Sequence, residues 1–142
     1  MASSNPTTAF AVLVTVLVLA VLAPSRAGAS EIECAIPFSF VVNSRTLPPG
    51  NYRVSEMSAG VLYLRDLVHG AFAVNSPVND AAGRRPRLVF HRYGEEYVLR
   101  QVWTTSTLGR ELPEPRRERE LRRAAMDASD ARSPVRVVVE AR

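Results

Sequence analysis

The strongest constraint in this chain is a succession of short runs of β-branched and aromatic residues between positions 35 and 104, each closed by Gly, Pro, Asn or Asp. Runs of that length suit half-buried pleated strands, and the punctuation suits tight turns, so the pattern predicts antiparallel pairing. Six runs can be read: residues 35–42 (AIPFSFVV), the segment around Tyr52 and Val54, then 61–66 (VLYLRD), 71–76 (AFAVNS), 87–93 (RLVFHRY) and 96–104 (EYVLRQVWT). In the first, Ile36, Phe38, Phe40 and Val42 alternate onto one face, and Pro37, lacking an amide hydrogen, points to a sheet edge. Pro49-Gly50 predicts a type II turn with Gly50 at positive φ. Residues 77–86 are polar, with Gly and Pro, and are expected to form a loop.

Residues 87–104 hold the clearest hairpin. Gly94-Glu95 suits a two-residue type II′ turn, in which Gly takes the first central position. That turn sets Phe90 opposite Leu99, Leu88 opposite Gln101 and Arg92 opposite Tyr97 on the face expected to meet the core, with Trp103 at its far end. His91 then opposes Val98 on the other face, and Val89 opposes Arg100.

Past residue 112 the texture changes. Pro115 can stand in a first helical turn, and residues 116–131 are rich in helix formers, with Glu118 and Arg122 spaced i,i+4. The apolar stripe of this helix is thin, limited to Leu121, Ala124, Ala125 and Ala128, which predicts light docking. Residues 135–139 (VRVVV) read as a last strand that pairs with an exposed sheet edge, its own or a partner's. The expected fold is all-β, a small antiparallel sandwich or partly open barrel of six to seven strands with one C-terminal helix. Its parts would be residues 30–112 (β domain), 113–133 (Arg/Glu-rich helix) and 134–142 (strand), behind a leader at 1–29.

The leader rests on residues 9–23 (AFAVLVTVLVLAVLA), which carry no charge and are followed by Ala27-Gly28-Ala29. An apolar run of this size matches a signal-peptide core of about 7–15 residues and falls short of the roughly 20 that span a bilayer. Cleavage is expected after Ala29, placing the protein in the periplasm or outside the cell; an uncleaved leader would be its only tie to a membrane. Cys34 is the sole cysteine, so no internal disulfide can form, and the residues before it do not suit lipidation. It reads as a small buried hydrophobe.

All 18 basic residues are Arg, and the formal charge of +4 falls to +3 once Arg26 leaves with the leader. So mild an excess, interleaved with Glu in residues 116–123 and without aromatic platforms, does not describe a nucleic-acid surface.

Three segments have a family likeness: Ile36-Pro37-Phe38-Ser39-Phe40 leading to Leu47-Pro48-Pro49-Gly50-Asn51-Tyr52; Leu88-Val89-Phe90-His91-Arg92-Tyr93-Gly94 with Gln101-Val102-Trp103; and Gly109-Arg110-Glu111-Leu112-Pro113. Together, over roughly residues 36–123, they resemble a family of small secreted bacterial proteins that has no established activity. The resemblance implies a compact β domain and carries no reaction or ligand with it.

No residue pattern announces chemistry. His69 and His91 stand 22 positions apart, without the close ligand pairs of a zinc site, and no Gly-x-Ser-x-Gly elbow is present, so no catalytic, metal or cofactor residues are assigned. Binding candidates are His91, Arg92, Tyr93, Tyr97 and Arg100, clustered on the hairpin. The expected function is a non-catalytic exported module that binds a partner protein or a glycan, with oligomeric state undetermined. The alternative is a small secreted hydrolase built on the strand face that carries His91; it would require a pocket joining His91 to a carboxylate or hydroxyl.

Overall fold

A computed structural model describes residues 30–128 and 134–142. The leader at 1–29 and the end of the expected helix at 129–133 lie outside the described residues. The chain forms β1 (Glu31–Ile36), β2 (Phe40–Val42), β3 (Arg45–Leu47), β4 (Gly50–Ser58), β5 (Val61–Arg65), β6 (Gly70–Val74), β7 (Ser76–Asn79), β8 (Arg87–Tyr93), β9 (Glu96–Trp103), β10 (Leu108–Glu111), α1 (Arg116–Asp127) and β11 (Val135–Glu140). Two sheets face each other. The first runs β1-β4-β5-β6 and the second β11-β8-β9-β10-β7, with the β2–β3 hairpin attached alongside β9. This is the expected all-β sandwich with one helix, and it is not a closed barrel.

The strands are shorter and more numerous than the six to seven expected, partly because two runs change sheet midway. The run at 35–42 breaks at Pro37: β1 ends at Ile36 in the first sheet and β2 begins at Phe40 in the second. A residue without an amide hydrogen cannot continue a ladder, so the crossing falls there. Ile36, Phe40 and Val42 nevertheless all reach the core, as their alternation predicted. The run at 71–76 crosses likewise at Asn75, and Ser76 together with residues 77–79, which were expected as loop, forms the edge strand β7 against β10. Pro77 is tolerated there because the strand lies at the edge. The segment 108–111 supplies β10, a strand the sequence reading did not assign. One pairing is parallel, β2 with β9 through Phe40–Tyr97 and Val41–Val98, where β10 leaves the start of β9 uncovered.

The core lies between the sheets and contains Ile32, Cys34, Tyr52, Val54, Leu62, Leu64, Leu88, Phe90, Leu99 and Val102. Cys34 is buried as expected, and burial pushes its thiol up to about 11, so it stays protonated. Gly94 takes a φ of 60° while Glu95 does not, as a type II′ turn requires. Gly50 does not take positive φ; it opens β4 opposite Ile36, so the expected type II turn is not the reason for glycine there.

The hairpin register is as predicted from His91 to Tyr93, and then a bulge at Arg100 shifts it. Phe90 opposes Leu99, but Leu88 opposes Val102 and Val89 opposes Gln101. One extra residue on β9 delivers aliphatic Val102 to the core in place of polar Gln101. The same shift turns Trp103 to the other face of its sheet, where it is buried under the Arg87 guanidinium, 4.5 Å above its ring, and over Gly109.

Candidate functional site

The outer face of the second sheet brings together three of the five binding candidates. His91 and Tyr93 alternate onto that face of β8, the bulge presents Arg100 from β9, and α1 lies across them. Glu118 is the helix's one buried residue, 2% exposed, and its carboxylate is the meeting point. His91 Nδ1 lies 2.8 Å from Oε1, the Tyr93 hydroxyl donates to the same oxygen at 3.0 Å, and Arg100 donates to Oε2 at 2.9 Å. Arg100 also pairs with Glu111 at 3.5 Å. Burial alone would raise the Glu118 carboxyl, but the His91 hydrogen bond, the Arg100 charge and the Tyr93 hydroxyl outweigh it and hold it below the usual carboxylate range. The Tyr93 phenol is pushed up to about 12 by burial and by that negative charge, so it remains a donor.

The sequence distinguishes Glu118 only by its i,i+4 spacing to Arg122. The structure pairs Arg122 with Glu114 instead. A signal was available: Glu118 stands three and seven positions before Leu121 and Ala125, the two half-buried apolar residues of α1, and so shares their stripe. Ala124 and Ala128, also expected to pack, are exposed.

Arg92 and Tyr97 do not join this group. They lie on the opposite face, where Tyr97 stacks on Phe38 at 3.8 Å and Arg92 donates to the Gly94 carbonyl and to Glu95. Tyr97 therefore packs against the core edge, and Arg92 fastens the hairpin turn.

Chemically, a carboxylate on His91 Nδ1 is the orienting half of a general-base pair. Among the described residues no hydroxyl or thiol hydrogen-bonds to the other ring nitrogen. The Glu118 oxygens accept from three side chains, and His91 lines neither a cleft of about 370 Å³ between β1, β4, β5 and Arg142 nor one of about 310 Å³ between the β2–β3 turn and the start of α1. Among the described residues no three His, Cys, Asp or Glu side chains gather as a metal site requires. The cluster acts as a clamp that fastens a polar helix to the sheet.

An exposed apolar patch lies on the outer face of the first sheet. Tyr63 and Phe72 oppose each other across β5 and β6 and stack at 4.5 Å, with Phe72 60% exposed. Val61 and Val74 form the next pair, and Val74 is also exposed. Sequence reading missed this patch because alternation alone does not tell which of two hydrophobic faces is left uncovered.

The fold and site define a two-sheet β protein with a helix clamped through a buried carboxylate. Comparison with protein-family models, curated proteins and solved structures finds no match.

Proposed function

We propose that this chain is an exported, non-catalytic module that binds a partner protein or glycan outside the cytoplasm. The observation that supports it most is the contrast between the two outer faces. One is partly covered by a helix over a hydrogen-bonded carboxylate; the other leaves Phe72 and Val74 open to solvent, with Tyr63 and Val61 half-buried beside them. Monomeric domains leave apolar patches uncovered chiefly where something binds.

The second reading, a hydrolase, has one observation in its favour, the 2.8 Å contact that orients His91. The two readings separate in a single panel. Glycan arrays and envelope extracts are probed with the protein and with a Phe72→Ser variant, alongside ester, amide and glycoside substrates tested with His91→Ala. Retention that disappears in Phe72→Ser supports the module. Turnover that disappears in His91→Ala would replace it with the hydrolase.

A further inference from the structure

We infer that the outer face of the first sheet binds a carboxylate-bearing sugar, gripped by Arg65 beside Tyr63; this deepens the binding-module reading above and rests on its glycan branch. The pairing register lays two rows of side chains across this face. One row runs Glu33, Arg53, Arg65, Gly70, and the next runs Ser55, Tyr63, Phe72. Guanidinium and aromatic groups therefore stand two residues apart along β5, on the same side of the pleat.

The charges of this face are mostly committed internally. Arg53 is taken by Glu33 and by Glu31, the latter at 2.8 Å. The Asp66 carboxylate accepts the backbone amides of Val68 and His69, which hold it down to about 2. Arg65 is different: it is exposed and enters no ion pair or side-chain hydrogen bond among the described residues, and the same holds for the Arg142 guanidinium. Both line the cleft of about 370 Å³, whose charged side chains are Glu33, Arg53, Arg65, Asp66 and Arg142, three guanidiniums to two carboxylates; Tyr63 is not part of its lining but lies two residues before Arg65 on the same face of β5. The volume of the cleft falls in the range of about 300–1,000 Å³ typical of small-ligand sites. A guanidinium meets a carboxylate in two parallel hydrogen bonds, which selects that group over a hydroxyl.

The aromatic half is held ready by a glycine. A Cβ added at Gly70 would stand 2.9 Å from the Tyr63 hydroxyl oxygen, so the absence of a side chain is what lets the tyrosine lie over β6 next to Arg65. An aromatic ring offers the C–H face of a pyranose a flat apolar surface while the neighbouring guanidinium takes the acid. A uronic-acid residue presents both features on one ring. It can arrive free or within a polysaccharide, and the two sources present the same chemistry.

The test is titration calorimetry on the full-length chain, expressed with its leader and purified in the form the cell yields. The probes are galacturonic acid, oligogalacturonate and fully methyl-esterified oligogalacturonate. Binding to the acids and not to the ester is expected; a preference for the oligomer over the monosaccharide identifies the polysaccharide as the source, and equal binding per residue identifies the free sugar. Arg65→Ala is expected to weaken binding about tenfold or more, the scale of a lost charged hydrogen bond, with an unchanged melting temperature. Gly70→Ala, which displaces Tyr63 from its place beside Arg65, is expected to weaken it as well.

Equal binding of acid and ester, no binding of either, or indifference to Arg65→Ala overturns the inference. The module reading survives that failure if the same protein retains a neutral glycan or a protein in a Phe72-dependent way. It fails with the inference if no such retention occurs.

Discussion

Glu118 joins the helix to the sheet through three side-chain partners. It is a charged group placed where a helix meets a sheet, and its three donors come from two strands distant in sequence. Removing one partner of a buried, hydrogen-bonded charge costs about 3–5 kcal/mol, because the other partner is left buried without compensation. Glu118→Ala is expected to lower stability on that scale, read by urea unfolding, since Arg100 is only 13% exposed in its side chain and already has a buried Nε without a partner. The pH dependence has a definite sign. The native carboxyl titrates below its ordinary range, so its contribution is complete above the unfolded value of about 4.3 and disappears as pH falls through the lower native value. The acid limb of the stability profile is expected to be shallower in Glu118→Gln, which does not titrate; an unchanged limb would show that other carboxylates set it. Trp103 gives a second residue-scale test. A Cβ at Gly109 would meet its ring at 2.6 Å, so Gly109→Ala must displace the indole, at a cost of about 1–3 kcal/mol and with a shift in tryptophan emission.

At the scale of elements, α1 depends on that one residue to an unusual degree. Its start has Pro115 at the cap with no side-chain hydrogen bond, and its last turn contains no basic residue to offset the dipole. Most of its length faces solvent. Backbone amides of α1 are expected to exchange with deuterium well before those of β8 and β9, whose interior is fully buried, and in Glu118→Ala the helical signal in circular dichroism is expected to fall while the strand signal persists. Exchange of α1 and the hairpin at one common rate would contradict this. The edge of β6 is protected differently: Asn43 and Arg45 donate side-chain hydrogen bonds to the carbonyls of Phe72 and Gly70, so the β2–β3 turn stands where another strand would dock.

Much of the whole molecule was legible from alternation and turn chemistry, and the unread parts share a cause. Period-two patterning identified Ile36 of β1 and Phe40, Val42, Leu88, Phe90 and Leu99 of β2, β8 and β9 as core residues but not Ile32 or Val102, and Gly94-Glu95 set the hairpin correctly for as long as the register stayed regular. It could not reveal that Pro37 and Asn75 are crossings between sheets, because a chain that changes sheet keeps burying the same side. Nor could it reveal the bulge at Arg100, which depends on Val102 gaining burial from the opposite sheet. The site was half legible for the same reason. His91, Tyr93 and Arg100 were singled out, but the carboxylate that unites them comes from a helix whose placement is tertiary, and the open Tyr63–Phe72 face is defined by what does not cover it.

The most direct test of this division between a clamped face and a binding face sets two variants side by side, His91→Ala and Phe72→Ser, measuring melting temperature and ligand retention for each. The clamp requires His91→Ala to melt earlier and retain ligand, and the binding face requires Phe72→Ser to keep its melting temperature and lose ligand. The reverse pattern, with retention abolished by His91→Ala and untouched by Phe72→Ser, would contradict it.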